Sequence, residues 1–149
     1  MEITLRAARS GEAAELTELV LRSKAHWGYD QAFLDRVRPE LTVRPDQIAS
    51  TVVAERDGRP AGLVTLLGTP PEGHVDLLFV DPWAIGTGVG RRLFEDAAYR
   101  ARAAGFVSLL IEADPQAEEF YLHLGAVRIG ESISSSSGRS LPLLRLTLS

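Results

Sequence analysis

The sequence predicts a single-domain α/β fold, with a mixed, mostly antiparallel central sheet of about six to seven strands flanked by helices. Three observations carry this expectation. First, the apolar run Val75 to Val80 reads as a buried strand, and an amphipathic pattern over about Val89 to Ala104 reads as the helix after it. Second, Gly86, Gly88 and Gly90 stand at alternate positions between them, on the threshold of that helix. Third, two β-rich segments, Thr51 to Arg56 and Pro60 to Leu67, flank Asp57-Gly58, a hairpin turn signal. A chain of 149 residues is long enough for one well-buried core, so residues 1–149 are expected to form one domain.

The other elements follow in order. Ile3 to Arg6 alternates like a short strand, and Leu16, Leu19, Val20 and Ser23 give a helix of about Glu12 to Ser23 one apolar face. The segment Ser23 to Asp30 then gathers Lys24, His26, Trp27 and Tyr29 around Gly28, in a connection of the kind that carries binding residues. Trp27 and Tyr29 either border a binding pocket or cap the core. Gln31 to Leu41 reads as a second helix with Phe33, Leu34 and Val37 inward, and Arg44 to Ile48 as a connector. Gly68 to Gly73 reads as a turn. Phe106 to Ile111 is a further buried strand, and Asp114 and Pro115 suit the N-cap and first turn of a helix that ends at Gly125. Ala126 to Gly130 and Leu141 to Leu148 read as closing strands. The serine-rich stretch between them is either a long hairpin connection or a lid that brings Arg139 to an anionic group.

Composition narrows the function. Hydrophobic residues make up 45% and charged residues 24%, the balance of an ordinary globular domain. A net charge of −4 argues against nucleic acid as the main partner. The absence of cysteine excludes disulfides, thiolate metal sites and cysteine nucleophiles, and no metal site is expected; a metal role for His26 is disfavoured. No apolar stretch approaches the length of a membrane span, and the first residues carry no signal-peptide pattern, so a cytoplasmic location is expected.

The three glycines form an anion cradle. Glycine takes positive φ and lets a ligand approach the backbone, while unpaired amides and the positive end of the dipole face the anion. Arg91 and Arg92 add cationic charge at the helix end where the dipole does not favour it. A P-loop is excluded because no Lys-Ser/Thr pair follows the glycines, and the spacing does not fit a dinucleotide fingerprint. The segment Ile85-Gly86-Thr87-Gly88-Val89-Gly90 instead resembles the Gln/Arg-x-x-Gly-x-Gly/Ala motif of the GCN5-related N-acetyltransferases, with Ile85 where that family has Gln or Arg. Downstream, Ala117, Phe120, Tyr121 and Gly125 match the family's Asn-x-x-Ala-x-x-Phe-Tyr segment and its glycine close, with Asp114 in place of Asn. The resemblance covers roughly Val75 to Val127.

It implies the acyl-CoA N-acyltransferase fold and acetyl-CoA as donor to a primary amine, with direct attack in a ternary complex. The acceptor is a small molecule or a peptide, and a homodimer is an open expectation. By the same resemblance, amides around Leu78, Phe79 and Val80 hold the pantetheine arm. Those of Gly86, Thr87, Gly88, Val89, Gly90 and Arg91 hold the pyrophosphate, and Asp114 and Ala117 border the same donor site. Tyr121 is the expected general acid for the departing thiolate, and Trp27 and Tyr29 border the acceptor pocket. The base is open among Asp76, His74, Glu112, Glu72 and a water chain. Asp76 is singled out because its apolar neighbours Val75 and Leu77 would raise its pKa on burial. Alternation places His74, Asp76 and Leu78 on one side of the strand. The replacements at 85 and 114 motivate an alternative from another class, a non-catalytic acyl-CoA-binding module.

Overall fold

The computed structural model describes residues 2–149. Seven strands form one sheet in the order β1-β2-β3-β4-β5-β7-β6. They are β1 (Ile3–Ala7), β2 (Thr51–Arg56), β3 (Arg59–Thr69), β4 (Glu72–Val80), β5 (Ser108–Glu112), β6 (Val127–Ile133) and β7 (Ser140–Thr147). Among the described residues four α-helices accompany them: α1 (Ala13–Ala25), α2 (Gln31–Leu41), α3 (Val89–Ala103) and α4 (Glu118–His123). The strands therefore lie as the apolar runs and the Asp57-Gly58 signal predict. β3 and β4 each extend further than expected, leaving Pro70 and Pro71 as the turn. The expected helix from Pro115 is split into a 3-10 turn, Pro115–Ala117, and the short α4.

Apolar residues fill both faces of the sheet. On one face α3 buries Leu93, Phe94, Ala97 and Ala101, at helical spacing, against Val64, Val75, Leu109, Ile111 and Leu144. On the other, α1 and α2 bury Leu16, Leu19, Val20, Val37 and Leu41 against Val53, Leu63 and Leu77. Each fully buried leucine or phenylalanine contributes on the order of 2 kcal/mol relative to exposure.

Every strand pair is antiparallel except β4–β5, which is parallel from Glu72↔Ser108 to Val75↔Ile111. Beyond Val75 the two strands part: β4 continues to Val80 beside β3 alone, and Glu112 of β5 pairs only with Leu143 of β7. The cause lies one residue on. Thr65 of β3 opposes Leu77 and Leu66 opposes Val75, so Asp76 is an extra residue on β4 with no partner of its own. Such a bulge bends its strand and sharpens the local twist, opening the sheet in the middle.

The bulge corrects one sequence expectation. Strict alternation would place Val75, Leu77 and Phe79 on one face. Instead Val75, Leu78 and Val80 pack towards α3, while Leu77 and Phe79 pack towards α1 and α2. Leu78 therefore does not share a side with Asp76.

Candidate active site

The parting of β4 and β5 opens into a cleft of about 990 Å³. That volume lies at the upper end of the range for small-molecule sites, enough for a long ligand and a second reactant. Its β4 wall is an unpartnered strand edge, so alternate N–H and C=O groups of Asp76 to Val80 are free to pair with an extended ligand. Leu78, Phe79 and Val80 all line it.

At one end of the cleft stands the N-terminus of α3. Gly86 and Gly88 have φ of +81° and +90°, a region only glycine enters at little cost, and both are exposed. Gly88 is the N-cap, no side chain caps the helix, and its first turn carries no acidic residue. The amides of the first turn, with the positive end of the dipole, are therefore left for an anion. Gly90 differs from these two: its φ is not positive, and a Cβ there would meet the Phe120 ring of α4 at 3.4 Å, an ordinary van der Waals contact.

Gly86, Val89, Gly90 and Ala117 line the cleft, as does Ile85. Thr87 turns inward to donate to the Ala84 carbonyl, and Arg91 lies along the exposed helix face, 3.2 Å from Glu95. Neither side chain is part of the wall. The turn before the glycines is pinned by Arg22, which donates to the buried Asp81 carboxylate at 2.6 Å.

Tyr121 sits at the centre. Its ring is buried against Phe94 and Phe120, and it lines the cleft. Burial, and then the nearby charge of Asp114, push its phenol well above the ordinary tyrosine value, so it holds its proton at neutral pH. Across the opening, burial raises the Asp76 carboxyl, and Glu112 adds to this. Arg44, Gln47 at 3.4 Å, and His74 act in the other direction without cancelling it. Asp76, His74 and Glu112 all line the cleft, whereas Glu72 accepts from Ser108 at 2.8 Å and lies off it.

Asp114 is the hub of the remaining wall. Its Oδ1 accepts from the Gln116 amide at 2.8 Å, capping the 3-10 turn as its side chain predicts. Its Oδ2 accepts from Lys24 at 2.5 Å and Tyr29 at 2.8 Å, with Arg139 3.6 Å away. Burial pushes this carboxyl up, but Lys24, the Gln116 amide and Tyr29 outweigh it and hold it below the ordinary aspartate value. Arg139 donates to the Tyr29 hydroxyl at 2.8 Å and stacks on Tyr29 and Phe33. The serine-rich stretch is thus a hairpin connection whose end is clamped to the cleft. Glu40 of α2 holds the same hairpin by accepting from Ser134 at 2.8 Å and the Ser136 amide at 3.2 Å.

Trp27 lines the cleft and is 46% exposed. Tyr29 does not line it; stacked on Phe33, it stands behind Lys24 and Arg139 and presents its hydroxyl to them. The sequence places Lys24 in a binding-type connection without assigning it a role, and nothing in it singles out Glu40 or Gln47. Lys24 had a signal: it lies four residues after Val20 and eight after Leu16, on the apolar stripe of α1, where a lysine must find a buried partner. No helix among the described residues is long and apolar enough to cross a membrane.

Comparison with known proteins agrees with this geometry. Residues 12–142 match the family model described as an acetyltransferase (GNAT) domain. The chain is 35% identical to the peptidyl-lysine N-acetyltransferase YjaB of Escherichia coli, covering 98% of this chain and 97% of that protein. It is 30% identical to the Salmonella typhimurium protein of the same name, with 98% of each covered. Among solved structures, a GCN5-related N-acetyltransferase from Rhodopseudomonas palustris superposes with a TM-score of 0.84 at 23% identity, over 99% of this chain and 97% of that one. The PaiA N-acetyltransferase of Thermoplasma acidophilum, solved with coenzyme A, gives 0.80 at 15% identity over 99% of both chains. At those identities the structures establish a shared fold.

Proposed function

Since the chain belongs to the GCN5-related N-acetyltransferase family and is an acetyl-CoA-dependent N-acetyltransferase, we propose that it transfers the acetyl group to a primary amine by direct attack in a ternary complex. The observation that carries this reading is a single cleft holding four parts together. These are the open N-terminus of α3, the unpartnered β4 edge, the Tyr121 phenol and the Asp76 carboxyl. The donor fits the first two, with its pyrophosphate on the amides of Gly86 to Arg91 and its pantetheine arm along Leu78 to Val80. The chain has no cysteine to carry a thioester of its own, which favours direct attack.

The chemistry asks for two proton movements. An amine attacks only when neutral, so a base must take its proton; the raised Asp76 carboxyl is placed for this, directly or through a water. As the N–C bond forms, the C–S bond breaks and the electron pair goes to sulfur. Tyr121, which keeps its proton at neutral pH, supplies that proton. A free amide of the β4 edge polarises the acetyl carbonyl. Ile85 in place of a polar side chain does not remove the cradle, because the cradle is made of backbone donors. Asp114, paired with Lys24, does not present a bare charge to the donor.

The acceptor is proposed to be a lysine side chain of a peptide, as the names of the relatives suggest, or a small primary amine. Isothermal titration with acetyl-CoA, coenzyme A and NADH tests the donor site. Binding of the CoA species alone supports the reading, and binding of none of them overturns it.

A further inference from the structure

The structure carries a second consequence for the same reaction, and it rests on the reading above. We infer that Lys24 is a positioning residue for acetyl transfer: it holds Asp114, which caps the helical segment carrying Tyr121, and it offsets part of the Asp114 charge beside the phenol. Lys24 is buried, on the last turn of α1, and its Nζ lies 2.5 Å from Asp114 Oδ2. Their side chains are only 9% and 15% exposed. An ion pair this dry is not a surface ornament; breaking it leaves a charge with no solvent to take its place.

Two links join the pair to the chemistry. The first is mechanical. Asp114 Oδ1 accepts from the Gln116 amide, at the start of the Pro115–Ala117 turn that runs straight into α4, and Tyr121 is on α4. Three groups from other parts of the chain converge on that carboxylate: Lys24, Tyr29 and Arg139. The second is electrostatic. The reaction places negative charge on sulfur where Tyr121 must protonate it. The Asp114 carboxylate opposes that charge and already raises the phenol; Lys24 beside it offsets part of this, and its removal would make the phenol a still poorer acid.

The charges do not cancel equally from every direction. Arg139 is 3.6 Å from Asp114 and cannot replace Lys24 while it is held by the Tyr29 hydroxyl and stacked on two rings. Glu40 on α2 also faces this region and is stabilised as an anion by Ser136, Ser134 and Lys24 against the cost of its burial. Removing the lysine therefore leaves Asp114 with Arg139 alone, 3.6 Å away, and takes from Glu40 the nearby cation that favours its charge.

The test is a pair of substitutions read by steady-state kinetics on the full chain. Lys24→Met is expected to lower kcat by about tenfold or more, while KM for acetyl-CoA moves by less than about threefold. The double variant Lys24→Met with Asp114→Asn replaces a charged pair by a neutral one that still caps the turn. It is expected to return kcat to within about threefold of the native value. A purely structural role predicts instead that kcat, KM for acetyl-CoA and melting temperature all worsen together in Lys24→Met. Unchanged kcat in Lys24→Met overturns the inference, as does failure of the double variant to recover. If Lys24→Met does not fold, Lys24→Gln decides: kcat lowered by about tenfold with KM for acetyl-CoA within about threefold supports the inference, and unchanged kcat overturns it. Absence of turnover by the native protein, by contrast, is a failure of the acetyltransferase reading itself.

Discussion

Val75 and Leu77, two residues apart on β4, bury their side chains on opposite faces of the sheet, one towards α3 and one towards α1. A regular strand would put both on the same face. Asp76, the extra residue between them, reverses the alternation and ends the pairing with β5, so the bulge and the cleft have one cause. The carboxyl at the bulge is also the one whose burial raises its pKa. A pH-rate profile can test that coincidence.

As the proposed base, Asp76 would act only above the ordinary aspartate range, because its pKa is raised. The acid limb of kcat/KM for the acceptor is expected to rise with pH through that elevated value, and Asp76→Asn is expected to abolish this limb and lower the rate by about 10²-fold. A limb unchanged in Asp76→Asn assigns the proton to another group. For stability the sign is the reverse of the usual carboxylate: this contribution is fully present below the ordinary, unfolded aspartate value and is lost as pH rises through the raised folded one.

Tyr121→Phe keeps the ring that packs on Phe94 and Phe120 and removes only the proton donor. The melting temperature is expected to change little, and kcat to fall by about 10²-fold with KM for acetyl-CoA nearly unchanged. Full turnover by this variant would remove Tyr121 from the acid role.

Gly88→Ala isolates the cradle. A Cβ at position 88 meets nothing within 4 Å, so the cost is backbone strain at φ of +90° rather than a clash. Stability is expected to fall by about 1–2 kcal/mol, and titration is expected to show weaker acetyl-CoA binding because the first-turn amides are no longer held in place. Native affinity in a folded Gly88→Ala protein would place the phosphates elsewhere.

Away from the site, Glu12 accepts from Arg6 at 2.6 and 3.0 Å and from the Arg9 amide at 2.8 Å. Arg6, against the cost of burial, holds its carboxyl below the ordinary glutamate value. A lowered carboxylate stabilises the fold above its unfolded pKa and loses that contribution as pH falls through its folded one. Glu12→Gln is expected to cost about 2 kcal/mol at neutral pH, and the deficit is expected to shrink on acidification. Denaturant melts of both proteins across the acid range check it.

Local signals reach the reader of this sequence well. The periodicity of Leu16, Leu19 and Val20, the Asp57-Gly58 turn and the alternating glycines each depend on neighbours within a few residues, and each element they predict is present. What depends on distant pairing is not legible in the same way. The bulge at Asp76 exists only relative to Thr65 and Leu66 on β3, so alternation alone assigns Leu78 to the wrong face. Asp114 reads as a helix cap; only the fold brings Lys24 across to pair with it. Tyr29 reads as a pocket aromatic beside Trp27, yet stacking on Phe33 turns its ring away and leaves its hydroxyl to the ion pair.

The central claim is that one cleft brings a thioester and an amine together and completes the transfer. Its most direct test is release of coenzyme A thiol by the native protein, given acetyl-CoA with a panel of lysine-bearing peptides and small primary amines, with the product identified by mass spectrometry. The expected result is thiol released in step with acetylated amine for at least one acceptor. Tight binding of acetyl-CoA with no acceptor acetylated above the uncatalysed rate would contradict the account and leave a domain that binds the donor without using it.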